Sequence, residues 1–263
     1  MATEVTDSAL LYALQVLNLL RRMHLIFERY RGRKMHPTAM ANGKRFFDTY
    51  LPADPVTVVD LGSQDVNGSL KEVCPATARY VGVDFVAGKG VDKILEDPYL
   101  LPFDDASVDF VVSSSCFEHS EMFWILYLEI LRILKPSGLF YLNAPSNGEF
   151  HRWPVDCWRF YPDSGRGLIT WAKRNGINAG LLESYTSNAD RDQWRDFVSV
   201  FVKDVNHASS YKKRILHSFS DFTNGLVDED FATFRNFKQH PESLNQEAPK
   251  HKWRLFGKSA SSK

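Results

Sequence analysis

The sequence of 263 residues has few cysteines and no excess of charge of either sign. Its three cysteines, Cys74, Cys116 and Cys157, include no CxxC pair, which argues against a disulfide framework and against a cysteine-ligated zinc site. Lys plus Arg and Asp plus Glu number 32 each, so no overall field draws the protein to nucleic acid or to an anionic membrane. We therefore expect a protein of the reducing cytoplasm that binds no nucleic acid.

Long apolar runs and a dinucleotide-type glycine pattern are also missing. The most apolar stretch near the N-terminus, LLYALQVLNLL at residues 10–20, is too short to span a bilayer and is followed by Arg21 and Arg22. No secretory signal pattern precedes it. A G-x-G-x-x-G sequence, which lets the backbone approach a pyrophosphate, does not occur. These absences predict no stable membrane insertion and argue against a nicotinamide-dependent dehydrogenase.

The sequence does contain a regular alternation of strand and helix patterns from residue 56 onward. Several strand patterns are near-continuous apolar or β-branched runs, typical of parallel strands covered on both faces. The final two strands have no long helical pattern between them, which predicts an antiparallel pair. The chain is therefore predicted to be an α/β protein with strands at 56–61, 79–84, 91–94, 108–114, 138–144, 181–187 and 197–203, and with helices at 120–134 and 165–175.

The predicted sheet is flanked by an N-terminal and a C-terminal segment. Apolar residues at helical spacing between 8 and 31 predict a helix. Its apolar stripe is expected to pack against another surface, because it is too apolar to stay exposed to solvent. Residues 205–263 show no second core pattern. We thus predict a helical cap at 1–50, a catalytic domain at 51–204 and a partly flexible extension at 205–263. The cap is expected to cover the mouth of the acceptor site or to form a contact in a homo-oligomer.

Two carboxylates are predicted at the ends of the first and second strands. Asp60 follows an apolar run and leads into a turn containing Gly62, and Asp84 ends the strand RYVGVD 24 residues after Asp60. The carboxyl ends of neighbouring parallel strands form the edge where α/β proteins bind cofactors. A carboxylate at that distance is placed to accept hydrogen bonds from both hydroxyls of a ribose. The sequence therefore predicts a nucleoside-containing cofactor.

Four motifs follow one another between residues 56 and 145: DLGSQD, VGVD, DPYLLPFDDASVDFVVSSSCFEH and RILKPSGLFYLNAPS. In this order and at these spacings they resemble the class I S-adenosylmethionine-dependent methyltransferases. One departure lies in the first motif, where Gln64 and Val66 stand in place of the usual second and third glycines. The resemblance implies a Rossmann-like seven-stranded sheet with helices on both faces, an antiparallel final hairpin and an N-terminal helical extension. It also implies S-adenosyl-L-methionine as the cofactor.

The resemblance further implies roles for single residues. Asp60 would contact the methionine amino group, Asp84 the ribose and Asp97 the amino group of the adenine. His119, at the end of strand four, is a candidate for lining the pocket or for acid–base work, whereas Glu118 is more simply interpreted as a helix-start carboxylate. The other cofactor contacts implied by these motifs are Gly62, Ser63, Phe85 and Ser115.

A segment rich in charge and in aromatic rings follows the fifth strand. Arginine forks bind carboxylate or phosphate, and aromatic faces stack on sugar rings. The pattern P-x-D-x-W-R-F-x-P at 154–162 also resembles methyltransferases associated with glycan and surface-polysaccharide assembly. We predict an acceptor pocket here, with a packed aromatic cluster bridged by Arg–Asp pairs as the alternative. The residues of this prediction are His151, Arg152, Trp153, Asp156, Trp158 and Arg159.

The predicted reaction is methyl transfer to a small-molecule or carbohydrate hydroxyl, in the setting of polysaccharide biosynthesis. A hydroxyl must lose its proton, and Asp156, His151 or His119 would accept it. No group of donors has metal-binding spacing along the chain, so no metal is expected. An N-methyltransferase acting on an amino sugar or another small metabolite is one alternative. A catalytically silent cofactor-binding partner subunit is the other.

Overall fold

The computed structural model describes residues 37–189 and 194–239. The helix predicted at 8–31 and the last part of the predicted C-terminal extension lie outside these residues. None of the helices in the described ranges has the length and apolar character that a bilayer crossing requires. In chain order the elements are α1 (Pro37–Tyr50), β1 (Thr57–Leu61), β2 (Arg79–Asp84), β3 (Lys93–Ile94), β4 (Val108–Ser114), α2 (Phe123–Ile133), β5 (Leu134–Pro145), α3 (Ser164–Arg174), β6 (Gly180–Ser187), β7 (Asp196–Val202) and β8 (Phe222–Val227).

The described strands form one mixed sheet in the order β3-β2-β1-β4-β5-β7-β6-β8. From β3 to β5 in that order the neighbours run parallel, and the remaining pairs are antiparallel. The apolar strand β1 has a parallel neighbour on each side, as its nearly unbroken apolar run predicts. The α/β fold class, the Rossmann-like sheet and the antiparallel final hairpin are therefore confirmed.

The sheet has one strand more than the seven predicted. β8 pairs antiparallel with β6, with Phe222 opposite Ser187 and Val227 opposite Glu183. Its sequence FTNGLV contains Asn224 at a φ of 50°, and its pairing with β6 changes register along the way. The segment therefore has neither the strict alternation nor the apolar run by which strands are recognised in a sequence. Within residues 37–189 and 194–239 the sheet therefore has eight strands and not the predicted seven.

The fifth strand also begins earlier than predicted. α2 ends at Ile133, and β5 starts at the next residue, Leu134, which pairs with Val108 of β4. Residues 135–137 lie between the predicted helix (120–134) and the predicted strand (138–144), but in the structure they are inside β5, where the register to β4 shifts. An irregularity of this kind lets a strand take up extra residues without leaving the sheet.

Helices cover both faces of the sheet, and each face has its own apolar core. On one face, Tyr127 of α2 and Leu168 of α3 pack among buried strand residues. On the other face, the ring of Phe46 in α1 lies 4.7 Å from that of Tyr141 in β5, and Ile215 belongs to the same cluster. Because both faces are occupied, the carboxyl ends of the parallel strands are the place where a ligand can enter.

A buried carboxyl group connects three parts of the chain. Glu183 in β6 is fully buried. It accepts hydrogen bonds from the Tyr50 hydroxyl of α1 and from the backbone N–H groups of Ile215 (2.8 Å) and Leu216 (3.0 Å). Burial raises the pKa of the Glu183 carboxyl, and these three donors partly offset that effect. The first helix, the sheet and the segment leading to β8 therefore meet at one side chain.

Candidate active site

A cavity of about 400 Å³ lies at the carboxyl ends of β1, β2, β4 and β5, and its size is that of a small-molecule pocket. We call its lining residues from 60 to 85 the β1–β2 side and those from 114 to 153 the β4–β5 side, since β1 lies between β2 and β4 in the sheet. Many of the predicted site residues meet here. Those in the lining are Asp60, Gly62, Ser63, Asp84, Phe85, Ser115, His119, His151 and Trp153.

The turn after β1 is held against the end of β2. The N–H groups of Gly62 and Ser63 both donate to the carbonyl of Val83, at 3.0 and 3.2 Å. Gly62 has a φ of 78°, and a Cβ there would lie 2.6 Å from the Cβ of Cys116, so glycine is required by both the backbone and the space. The Ser63 hydroxyl is buried and has no hydrogen-bond partner among the described residues. An unsatisfied polar atom in a cavity wall is suited to bind a ligand.

Asp84 has the environment expected of a ribose-binding carboxylate. The side chain is almost fully buried, and its two oxygens accept hydrogen bonds from the backbone N–H groups of Val86 (3.1 Å) and Gln64 (3.2 Å). Burial raises the pKa of the Asp84 carboxyl, and these N–H groups partly offset the effect. A carboxylate oxygen can accept more than one hydrogen bond. Asp84 can therefore bind two hydroxyls while the backbone fixes its orientation.

Asp60, one residue before the end of β1, carries a buried carboxyl group. Its burial raises its pKa to about 7, a hydrogen bond from Tyr80 opposes that rise, and the nearby charge of Asp84 adds to it. A cationic amino group bound next to Asp60 would favour the ionised carboxylate. The role predicted for Asp60, contact with the amino group of a methionine moiety, fits this environment.

The other predicted cofactor residues are not all at the cavity. The ring of Phe85 is 42% exposed and lines it. Ser115 lines it as well, with a φ of 53° and a backbone N–H that donates to the carbonyl of Asn143. Asp97 does not belong to the lining. It is exposed, and its carboxylate accepts the N–H of Tyr99 at 2.8 Å, which is the contact of a turn residue.

Two histidines from separate segments meet on the β4–β5 side. The rings of His119 and His151 are 5.0 Å apart and nearly perpendicular. Nδ1 of His119 contacts the carbonyl of Val155, and Nδ1 of His151 lies 3.0 Å from the carbonyl of Glu149. Burial lowers the pKa of His119 to about 4, although its bond to Val155 opposes this. The His119 imidazole is therefore neutral at physiological pH.

Asp156 and Arg159 bind each other and do not belong to the cavity lining. The guanidinium donates to the two carboxylate oxygens at 2.6 and 2.9 Å, and the backbone N–H of His151 donates to the same group at 2.7 Å. Burial alone would raise the pKa of Asp156, but these bonds outweigh it and hold the pKa below its usual value. The pair therefore positions the loop that carries His151, and Asp156 is the weaker candidate for a base.

The remaining acceptor predictions divide in the same way. Trp153 lines the cavity. Trp158 instead donates from Nε1 to the carbonyl of Ser120 at 2.9 Å, and its ring lies 5.4 Å from that of Phe123. Arg152 is exposed and outside the lining. The alternative of a packed aromatic cluster with Arg–Asp bridges therefore describes Trp158 and Arg159, and the acceptor-pocket prediction fits His151 and Trp153.

Among the lining residues that were not predicted as site residues from the sequence are Glu118, Phe150 and Trp194. Glu118 is 1% exposed, and its burial raises its pKa to about 8. Its Oε2 has no hydrogen-bond partner among the described residues. The signal for Glu118 was its position directly before His119 at the end of β4. Trp194, whose ring lies 5.1 Å from that of His151, comes from the connection between β6 and β7, where no pattern pointed to a site.

The central part of the chain matches a known domain family. Residues 55–142 fit the family described as methyltransferase domain. A solved structure of Burkholderia thailandensis 1,6-didemethyltoxoflavin-N1-methyltransferase with bound 1,6-didemethyltoxoflavin and S-adenosylhomocysteine has a TM-score of 0.55 at 15% identity. The similarity covers 73% of this chain and 88% of that one. Residues 55–142 therefore form a domain of the class I S-adenosylmethionine-dependent methyltransferases. The family resemblance, the enzyme class and the cofactor predicted from the sequence are confirmed.

Curated relatives of this methyltransferase are matched over part of their length. The phthiotriol/phenolphthiotriol dimycocerosates methyltransferase of Mycobacterium tuberculosis is 34% identical over 138 residues, which are 51% of this chain and 44% of that protein. Phthiotriol/phenolphthiotriol dimycocerosates methyltransferase 1 of Mycobacterium ulcerans is 31% identical over 129 residues, or 48% of this chain and 41% of that protein. The matched region thus spans less than half of either relative, so the acceptor has to be argued from this cavity.

Proposed function

We propose that this methyltransferase transfers a methyl group from S-adenosylmethionine to a hydroxyl of a small-molecule or carbohydrate acceptor. The observation that carries the proposal is that one cavity is lined both by Asp60 and Asp84 and by His119 and His151. Carboxylates suited to a nucleoside cofactor and imidazoles suited to a hydroxyl therefore share one space. Polysaccharide biosynthesis is the setting we propose, because of the resemblance at residues 154–162.

The β1–β2 side holds the cofactor in this proposal. Bound S-adenosylmethionine supplies an electrophilic methyl group on a sulfonium centre. Asp84 accepts the ribose hydroxyls with oxygens that backbone N–H groups already orient. Asp60 pairs with the amino group of the methionine moiety, whose positive charge compensates the buried carboxylate. The buried Ser63 hydroxyl, with no partner among the described residues, offers one more hydrogen bond.

The β4–β5 side holds the acceptor and removes its proton. His119 is neutral because burial lowers its pKa to about 4, so it is a weak base. The His151 side chain is more exposed than that of His119, at 32% against 12%, and a proton taken here can pass to solvent. We therefore assign proton removal to His151 and the positioning of its loop to the Asp156–Arg159 pair.

The composition of the lining restricts the acceptor. Phe150 (76% exposed), Trp153 and Trp194 contribute aromatic surface, and aromatic faces stack on the apolar faces of rings. No lysine or arginine occurs among the described lining residues, whereas Glu118, Glu149 and Asp196 do. A phosphorylated or carboxylated acceptor would face these acidic groups without a cationic partner. A neutral, ring-containing acceptor such as a sugar fits this surface better.

The acidic lining also supports one alternative acceptor. An amino sugar enters the cavity as a cation, which the acidic side chain of Asp196 would attract, and it reacts after loss of one proton. The silent-subunit alternative has less support, because the altered first motif still keeps Gly62, Ser63 and Gly68 at the cavity. We therefore keep N-methylation as the second candidate function.

The test is an acceptor screen with the full chain. Neutral sugars, amino sugars, nucleotide sugars and a hydroxylated lipid are incubated with S-adenosylmethionine, and mass spectrometry detects the gain of one methyl group. We expect methylation of a neutral hydroxyl compound, and fragmentation of the product shows whether oxygen or nitrogen carries the methyl. Methylation of phosphorylated compounds alone would contradict the proposed acceptor class. Tight S-adenosylhomocysteine binding without turnover on any compound would favour the silent subunit.

A further inference from the structure

We infer that Glu118, His119 and His151 form a binding site for a divalent transition-metal ion on the β4–β5 side of the cavity. The inference rests on the proposed function, because the ion would act on the acceptor hydroxyl. One ligand atom of each residue lies within 4.8 Å of the other two. Glu118 and His119 follow β4, whereas His151 follows β5, so spacing along the chain could not show the set. The inference replaces the expectation that no metal binds.

Both imidazoles are held in the tautomer that a metal ligand needs. A carbonyl oxygen can only accept a hydrogen bond, so the contact of Nδ1 with the carbonyl of Val155 places the proton on Nδ1 of His119. Nδ1 of His151 lies 3.0 Å from the carbonyl of Glu149 and 3.4 Å from Nη2 of Arg159, and the shorter contact favours the same tautomer. Nε2 of each histidine therefore carries the free lone pair. Metal-binding histidines commonly donate their second ring N–H to a backbone carbonyl in this way.

The carboxyl group of Glu118 is the second, independent observation. Its side chain is 1% exposed, it belongs to the cavity lining, and its Oε2 has no hydrogen-bond partner among the described residues. A buried polar oxygen in this condition is costly unless a ligand satisfies it. A divalent cation would satisfy it and would supply the positive charge that the described lining lacks.

The donor separations are close to those of a bound ion. Zinc bonds of about 2.1 Å place tetrahedral ligands about 3.4 Å apart. Nε2 of His119 is already 3.7 Å from Oε1 of Glu118. His151 lies in a loop and its side chain is 32% exposed, so its ring has space to close the remaining gap. Two imidazoles and one carboxylate suit zinc and its neighbours in the first transition row, whereas magnesium prefers an all-oxygen shell.

Three protein ligands leave a coordination position for the acceptor oxygen. A hydroxyl bound there loses its proton more readily, and this proton passes to water. The acceptor oxygen then forms a bond to the methyl carbon, and the methyl–sulfur bond breaks with its electron pair staying on sulfur. The products are a methyl ether and S-adenosylhomocysteine. In this form of the mechanism the two imidazoles promote deprotonation through the ion and do not take up the proton directly.

The first experiment measures metal binding without turnover. The full chain is treated with a chelator and titrated with zinc chloride by calorimetry. We expect one zinc ion per chain in the wild type, and binding weakened by at least about 100-fold in Glu118→Gln, His119→Ala and His151→Ala, since even outer-shell changes at metal sites cost 10- to 100-fold. His207→Ala is the matched control, because His207 lies outside the cavity lining, and it should bind zinc as the wild type does.

Binding of S-adenosylhomocysteine shows that each variant remains folded and separates the two proposals. Wild-type zinc affinity in all three variants with intact S-adenosylhomocysteine binding would overturn the metal site and leave the proposed function standing. Zinc binding lost in the variants, with no methyl transfer by the zinc-loaded wild type, would leave the metal site and refute the proposed function. Turnover that survives chelation unchanged would overturn the role of the ion in deprotonation.

Discussion

The hydroxyl of Tyr80 donates a hydrogen bond of 2.7 Å to the buried carboxylate of Asp60. The two residues lie on adjacent parallel strands, β2 and β1. Burial raises the pKa of Asp60 to about 7, and the bond from Tyr80 favours the ionised form and limits that rise. Asp60 therefore changes charge near neutral pH, at the place proposed for a cationic amino group.

We expect the affinity for S-adenosylhomocysteine to increase with pH up to about 7 and to level off above it. Asp60 has a pKa of about 7, so it is protonated at a lower pH. It must then lose its proton to pair with the amino group, which lowers the affinity by up to about tenfold for each pH unit below the pKa. Calorimetry across this range measures the profile. Asp60→Asn should remove this part of the pH dependence, and Tyr80→Phe should move its midpoint to higher pH. An unchanged profile in Asp60→Asn would refute the assignment.

Asp84→Asn is expected to weaken S-adenosylhomocysteine binding by about 10- to 150-fold, the equivalent of about 1.5–3 kcal/mol for hydrogen bonds to a charged group. Asp97→Asn is the matched control. Because Asp97 is exposed and contacts only its own turn in the described chain, we expect nearly wild-type affinity from that variant. Equal losses in the two variants would show that Asp97 does bind the adenine in the complex, as the sequence predicted.

Gly62→Ala should destabilise the protein more than Gly176→Ala does. Both glycines have a φ of 78°, but a Cβ at Gly62 meets Cys116 at 2.6 Å, whereas a Cβ at Gly176 has no atom of the described residues within 4 Å. The backbone term alone costs about 1–2 kcal/mol, and overpacking adds about 1–3 kcal/mol at Gly62. Urea unfolding monitored by circular dichroism gives both values. Identical losses would mean that the turn after β1 can shift away from Cys116.

His151→Ala should lower kcat by about 10²–10⁴-fold, the range for loss of an acid–base group, with nearly unchanged affinity for S-adenosylhomocysteine. Asp156→Asn should have a smaller effect on kcat, because Asp156 is paired with Arg159 outside the cavity lining. Single-turnover kinetics on an identified acceptor measures both. A larger loss in Asp156→Asn than in His151→Ala would return the role of base to Asp156.

Asp156→Asn should instead reduce stability, by about 1–3 kcal/mol for a nearly buried charge-assisted pair. The pKa of Asp156 is depressed in the folded protein, so the pair stabilises the fold above the unfolded pKa of about 4 and loses this contribution as the pH falls further. Denaturation at pH 7 and below pH 4 should therefore show a difference between variant and wild type that disappears in acid. Asp48→Asn, which removes the exposed pair with Lys44, should change stability little at either pH.

The parallel half of the fold was predictable from the sequence, and the reason is local. In β1 and β4 the side chains are buried on both faces. Each strand therefore appears in the sequence as a short apolar run between turn residues. β8 was not predictable, because it owes its strand conformation to pairing with β6 and contains Asn224 at a positive φ. Tertiary contacts override local preference in such a strand.

The site was predictable where one residue follows one strand, as with Asp60 and Asp84. It was less predictable where residues from distant segments meet. The charged side chains of Asp156 and Arg159 suggested chemistry, but they satisfy each other, and a sequence does not show which charges pair. The role of Glu118 was not predictable for the opposite reason: no donor among the described residues reaches its Oε2, and this is visible only in three dimensions.

The pairing of β8 with β6 has a consequence for contacts between copies of the chain. Without β8, the eight-residue strand β6 would present unpaired N–H and C=O groups, and such an open edge is a template for strands of other molecules. β8 occupies this edge, and the bridge between Gly225 and Arg235 covers part of its outer side. The segment 205–221 therefore connects β7 to the strand that covers the edge of β6. A protease cut there, followed by release of β8, would make the protein self-associate, which light scattering would detect.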